Sequence, residues 1–356
     1  MIYCINVLKK GYNTAENKAP ADVYEISKAA GLKGIVFYEP KKYKIKLFSK
    51  IFDRITVTKN WMRLFFKVDR NDMVLVQHPY EGAFIASVFV DLCKRIKKIK
   101  FIGLVHDLGI IRGLLAGNQT EKQSQRYYLL DMVLLKKFDY IIAHNPSMIK
   151  YLLKRGYAKN KLYNLEIFDY LHNVPLKENR SKKKSVIVAG NLSPTKCEYV
   201  YNIIDGKNLG FDLELYGPYF QKGTESNNVN YHGVCTPEEL PGKLEGSFGL
   251  VWDGNSIDKC AGNAGEYIRY NNPHKCSLFL SSNIPVIIWE KAALADFVVK
   301  NGVGFTVKSL SEISDKIDKL SEADYKQMVM NTIRIGKKLR EGYYLKKAID
   351  QIEMIK

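Results

Sequence analysis

The segment EYIRYNNPHKCSLFLSSNIPVIIWEKAALADFV, residues 266–298, decides the fold class. Asn271, Asn272 and Pro273 form a helix start that puts Lys275 in the first turn. The chain then passes through SSNIP into the apolar run PVIIW, a buried strand by its length, and EKAALADF opens a second helix. Helices alternating with apolar strands cover both faces of a parallel sheet. The alternation continues outward through GFTV (304–307) on one side and FGLVW (248–252), VNYHG (229–233), DLELYG (212–217) and SVIVAG on the other. LHNVPLKENRSKKK, residues 171–184, is polar and basic without an apolar period and reads as a linker. Before it stands a second series: IYCINV (2–7), GIVFYE (34–39), MVLVQ (73–77), FIGLVH (101–106), YIIAH (140–144) and LYNLEIF (162–168). Helical stretches such as ADVYEISKAAG (21–31) lie between them. The expected class is α/β, with two doubly wound Rossmann-like domains, 1–175 and 176–337, facing a cleft. A C-terminal helix at about 338–356, its pattern interrupted near Gly336 and Gly342, is expected to pack back on the first domain.

Composition agrees with two globular domains. At 46% hydrophobic and 26% charged residues, the 356-residue chain buries a large core and is not disordered. Six cysteines, at 4, 93, 197, 235, 260 and 276, never fall at CxxC spacing and read as reduced packing thiols. The most apolar run, FIGLVHDLGIIRGLL (101–115), holds His106, Asp107 and Arg112 and falls short of the roughly 20 residues of a membrane span. MIYCINVLKKGYN lacks a basic leader and a cleavage site, so a cytoplasmic protein is expected, with peripheral contact at the inner face of the cell membrane. The net charge of +18 calls for an anionic partner: nucleic acid, an acidic membrane or a phosphorylated substrate.

In a doubly wound domain the chemistry sits on loops that follow strands. KKGYNTAENKAP (9–20), with Asn13, Thr14 and Lys18, is one such loop: it suits a phosphate or acceptor, or is a plain solvated connection. AGNLSPTK (189–196) offers Gly190 and Asn191 at a strand end and Lys196 near the next helix start, which suits a phosphate or is an ordinary capped turn. Lys275 is a cation at the positive end of a helix, a misfit that an anionic ligand would resolve.

The runs FGLVWDGNS, YNNPHKCSLFLSSNIPVIIWEKAALADF, HNPSMIKYL, IFDYL and VAGNLSPTKC resemble the bacterial β-1,6-galactofuranosyltransferases of O-antigen and capsule synthesis, to which the glucosyltransferases of serine-rich repeat adhesins are related. The resemblance is dense from about residue 101 onward. It implies a GT-B fold, a UDP-sugar donor held by the C-terminal domain, metal-independent transfer to a glycan acceptor such as a lipid-linked oligosaccharide, and a homo-oligomer. Galactofuranosyl transfer would invert the anomeric centre. Carried onto this chain, donor binding falls on Gly190, Asn191, Lys196, Tyr216, Asn272 and Lys275. The adhesin branch has arginine in place of Lys196, which keeps the charge and changes the donor geometry.

No two aspartates are spaced as D-x-D, so no metal cofactor is expected, and Lys196, Lys275 and helix N-terminal amides would stabilise the leaving UDP. Asp107, at the end of FIGLVHD, is the first candidate for the base and His106 the alternate; a helix cap and a polar-pocket histidine are the competing readings. Glu16 and Glu81 are weaker candidates. KKYKIKLFSKIFDRITVTKNWMRLFFK (41–67) suits either an anionic bilayer or a helix packed on the sheet with lysines in water. No helix-turn-helix, zinc-finger or RNP-type signature appears, so nucleic acid is not an expected partner. A UDP-glucose-dependent transferase acting on a glycosylated protein, or a nucleotide-sugar epimerase, are the rival enzymes.

Overall fold

The computed structural model describes the chain apart from residues 9–14, 40–45, 81, 117–119, 178–179, 207–208, 222–227 and 355–356. Asn13, Thr14 and Glu81 lie outside the described residues, as does the side chain of Glu16.

Among the described residues, twelve strands form two parallel sheets. The first has the order β2-β1-β3-β4-β5-β6, built from β1 (Ile2–Leu8), β2 (Lys33–Tyr38), β3 (Met73–His78), β4 (Lys100–Val105), β5 (Tyr140–Ala143) and β6 (Leu162–Asn164). The second has the order β12-β11-β10-β7-β8-β9, from β7 (Ser185–Ala189), β8 (Asp212–Tyr216), β9 (Val229–Tyr231), β10 (Phe248–Val251), β11 (Val286–Trp289) and β12 (Gly304–Val307). Two parallel sheets with helices between their strands are the two Rossmann-like domains expected from the sequence. The central strands are buried on both faces, which is why they read as continuous apolar runs rather than alternating ones.

Eight helices matter below: α1 (Ala15–Ala29), α2 (Lys46–Lys67), α3 (Ala83–Lys97), α4 (Gly109–Ala116), α5 (Pro194–Ile204), α6 (His274–Ser281), α7 (Glu322–Arg340) and α8 (Tyr343–Glu353). In the first unit α2 buries Val57, Trp61 and Leu64, and Trp61 meets Phe37 and Tyr80 edge-on at 5.7 and 5.8 Å. In the second unit the core is centred on Phe248, Phe279, Tyr325 and the paired indoles of Trp252 and Trp289.

The chain divides into two compact units. One holds β1 to β6 and the chain from Leu345 onward; the other holds Glu166–Tyr344 and the first turn of α1, through Ala19. The change of unit thus falls ahead of residue 175. Glu166 takes a left-handed φ of 71°, which ends β6 well before the 168 suggested by LYNLEIF. Helix α1 also starts earlier than ADVYEISKAAG suggests, and it contains Pro20, which removes one intrahelical bond where the helix leaves one unit for the other.

Gly336 does not interrupt the C-terminal helix. Helix α7 runs through it, and Glu341 and Gly342, the latter with φ of 71°, separate α7 from α8. At Gly336 the backbone of α7 lies against α6, where a Cβ would collide with the carbonyl of Leu280. Gly336→Ala is therefore expected to destabilise the protein by about 1–3 kcal/mol in urea unfolding, although alanine is the better helix former by about 1 kcal/mol. A rise in stability would refute the close approach.

Candidate functional site

Strand β7 ends at Gly190, whose φ of 129° is open to glycine and strained for other residues. Its N–H donates to the Tyr216 carbonyl at 2.9 Å, so the ends of β7 and β8 are joined there. Gly217 follows with φ of 140°, and a Cβ on it would collide with the Gly190 carbonyl. Asn191 is exposed, with Oδ1 accepting from the Ser193 N–H at 2.9 Å. The Ser193 carbonyl accepts from Lys196 and Cys197 N–H at 2.9 and 3.0 Å, and α5 kinks at Cys197 (φ −132°, ψ 47°). These bonds use two first-turn amides of α5 internally. The Lys196 side chain is exposed.

Helix α6 brings Lys275 to the same place. Its Cε lies 3.5 Å from the position a Cβ would take on Gly190, so the lysine stem runs directly beside the β7 turn. Its ammonium donates to Asp253 Oδ1 at 2.6 Å and to the Trp252 carbonyl at 3.2 Å. Asp253 therefore supplies the negative charge that a lysine at a helix N-terminus lacks. Both partners of the pair are partly exposed, at 18% and 17%. An ammonium has three N–H groups, and the third has no partner among the described residues. Asp253 lies within WDGNS, yet nothing in that run assigns it this role; its signal is its position just past the end of β10.

Two of the expected donor residues hold their side chains elsewhere. Tyr216 is buried, its hydroxyl donating to the Lys243 carbonyl at 3.2 Å and accepting from the Glu245 N–H at 2.9 Å. Its ring stacks on His232 at 4.4 Å, and burial pushes the phenol up to about 12. What Tyr216 gives the site is its carbonyl, bonded to Gly190. Asn272, also buried, donates its amide to the Glu166 carbonyl at 3.2 Å and so anchors the chain entering this unit.

Lys18 is not on a solvated loop. It lies in the first turns of α1, 7% exposed, donating to the Leu171 carbonyl at 2.6 Å and standing 5.1 Å over the Tyr170 ring. Nearby His274 packs on Phe168 and Tyr170 at 5.3 and 5.8 Å, and its two buried ring nitrogens have no hydrogen-bond partner among the described residues. Burial, reinforced by the Lys18 charge, holds its imidazole down to about 4, so it is neutral at pH 7.

In the first unit, His106 and Asp107 follow β4 and precede α4, both half-buried. His106 Nε2 meets Gln77 Oε1 at 2.7 Å, which fits the polar-pocket reading. The first-turn N–H of Ile110 donates to Asp131 Oδ2 at 2.8 Å, so Asp131 serves as a cap for α4. Asp131 is itself buried and receives His78 Nε2 on Oδ1 at 2.8 Å. A polar pocket of about 420 Å³ lies by the C-terminal end of α5, lined by Asn202, Asp205, Asn255 and Asp258 among others. Two carboxylates and no cation among the described lining residues make it unsuited to a diphosphate. Among the described residues no group of three or more His, Cys, Asp or Glu is placed to hold a metal.

The chain matches two family descriptions along nearly its whole length: Glucosyltransferase 3-like, N-terminal domain, over residues 1–167, and Glucosyltransferase 3-like, C-terminal domain, over residues 186–352. It is 32% identical to the β-1,6-galactofuranosyltransferase WbbI of Escherichia coli K12, over 99% of this chain and 98% of that one. It is 27% identical to Glucosyltransferase 3 of Streptococcus gordonii, over 79% of each chain. Among solved structures it is similar in fold to sucrose-phosphate synthase from Thermosynechococcus elongatus, with a TM-score of 0.61 at 12% identity over 99% of this chain and 98% of that one. A glycosyltransferase from Rickettsia africae gives a TM-score of 0.60 at 13% identity, over 99% and 97%. With both of its domains matched, the chain belongs to the glucosyltransferase 3-like family of glycosyltransferases.

Proposed function

We propose that the protein transfers a hexosyl group, galactofuranose first among the candidates, from a UDP-sugar to a glycan acceptor without a metal ion. The galactofuranosyl choice rests on the 32% identity to WbbI across nearly both chains. One observation carries the donor site: Lys275 and Gly190 meet at the end of the second sheet, with one ammonium N–H unclaimed among the described residues. As the bond from the anomeric carbon to the diphosphate breaks, charge accumulates on the departing UDP. A lysine already fixed by Asp253 meets that charge with little reorganisation. The bare Gly190 backbone permits close approach, and exposed Lys196 adds a second cation. Asp107 takes the acceptor proton in this reading, with His106 the alternate. The 27% identity to Glucosyltransferase 3 supports UDP-glucose as the second donor to be weighed.

UDP is expected to raise the melting temperature in EDTA as much as in magnesium; at about 100 times its dissociation constant the stabilisation is roughly 2.7 kcal/mol. No shift with UDP or any UDP-sugar would overturn the transferase reading, and a shift abolished by EDTA would overturn its metal independence. In calorimetry, Lys275→Ala is expected to weaken UDP by about 10- to 100-fold while leaving uridine within about twofold. Equal losses for both ligands would move Lys275 away from the phosphates. Asp107→Asn keeps the size of the side chain and removes its proton affinity, so kcat should fall by about 10²- to 10⁴-fold at unchanged UDP affinity and melting temperature. Turnover within a few-fold of the parent would pass the role to His106.

A further inference from the structure

Helices α2 and α3 lie side by side in the first unit. Lys97 of α3 donates to the carbonyls of Phe65 and Val68 at 2.6 Å each, and Phe89 stacks on Trp61 at 6.3 Å. Each helix buries one face: Val57, Trp61 and Leu64 on α2, and Ala86, Val90 and Cys93 on α3. The opposite faces carry what a solvated helix omits. On α2, Phe48, Ile51, Ile55, Met62 and Phe66 recur at helical spacing and are all exposed, Phe66 at 74%. On α3, Phe84, Val88, Leu92 and Ile96 follow one another every fourth residue and are exposed, Phe84 at 71%. Two adjacent apolar stripes exceed the scattered hydrophobic residues normal on a soluble surface.

Charge selects the occupant. Helix α2 carries six cations and one acid, and Lys50, Arg54, Lys59, Arg63 and Lys67 are exposed around its stripe. Arg95 and Lys98 add exposed cations at the end of α3. A second copy docked on this face through a two-fold axis would set like charge against like. An anionic bilayer satisfies both features, with aromatic and aliphatic groups entering the headgroup boundary and the cations meeting lipid phosphates. The described residues contain no helix long and apolar enough to cross a membrane, so this contact would be with the surface alone. We propose that the outward faces of α2 and α3 form one lipid-docking surface that holds the enzyme on an anionic membrane.

The test is flotation of the full chain with phosphatidylcholine vesicles, alone or with one third phosphatidylglycerol. The protein should float with the anionic vesicles only, and about 0.5 M salt should release it. Phe66→Ser combined with Phe84→Ser, both at exposed positions, should lower the bound fraction by about tenfold or more at unchanged melting temperature and unchanged UDP-induced thermal shift. The thermal shift reads the donor site separately, so failure of docking and failure of the transferase reading are distinguishable. No binding to anionic vesicles, or binding insensitive to the paired substitution, would overturn the proposal. So would self-association in solution that the same substitutions abolish, which would give the face to a second copy.

Discussion

The second unit depends on a close approach at the end of its sheet, where the Lys275 stem passes beside Gly190 and the Gly190 carbonyl leaves no room for a side chain at Gly217. Both glycines hold φ values near the edge of what other residues tolerate. The approach fixes three things together: the exit of β7, its bond to β8 through Tyr216, and the direction of the Lys275 ammonium toward Asp253. A helix N-terminus bearing a lysine is electrostatically uncomfortable, and the carboxylate at the neighbouring strand end compensates.

A carboxylate that organises its surroundings recurs in the first unit. Asp131, on a π-helical turn at Tyr128–Leu134, is buried yet accepts from His78, and its second oxygen accepts from the first turn of α4. The Tyr157 hydroxyl donates to its backbone carbonyl. A buried carboxylate so fully bonded holds the segment after β4 in place, and that segment carries His106 and Asp107. Their position is set by residues that touch neither of them in sequence.

The central strands are legible because parallel strands buried on both faces write themselves as apolar runs. Lys275 at a helix start was legible for the same local reason. What escaped was long-range. Tyr216 ends a strand beside a glycine, which looks like a ligand position, and only the fold reveals that its hydroxyl is taken by the segment around Lys243 and Glu245. Lys18, amid Asn, Thr and Glu, looks solvated until Leu171 and Tyr170 are brought to it. Asp253 carries no signal of its own in the sequence, because an aspartate after a strand is common and its partner lies on another element. On α3 the core takes Ala86, Val90 and Cys93, and the larger Phe84, Val88, Leu92 and Ile96 face outward, a choice that only the fold makes visible.

The first turn of α1 and the chain beyond Leu345 both belong to the opposite unit from their immediate neighbours. The polypeptide therefore changes unit four times, ahead of α1, within α1 after Ala19, after Leu165 and after Tyr344, so neither unit is one continuous stretch of chain. Severing the chain at the basic linker would part each unit from a segment of its own. The C-terminal fragment would forfeit Lys18 and leave the Leu171 carbonyl without that donor, while the N-terminal fragment would lose the helix that closes its own lobe. Evolution by exchange of whole lobes, simple in a beads-on-a-string protein, would here require matching four crossings at once.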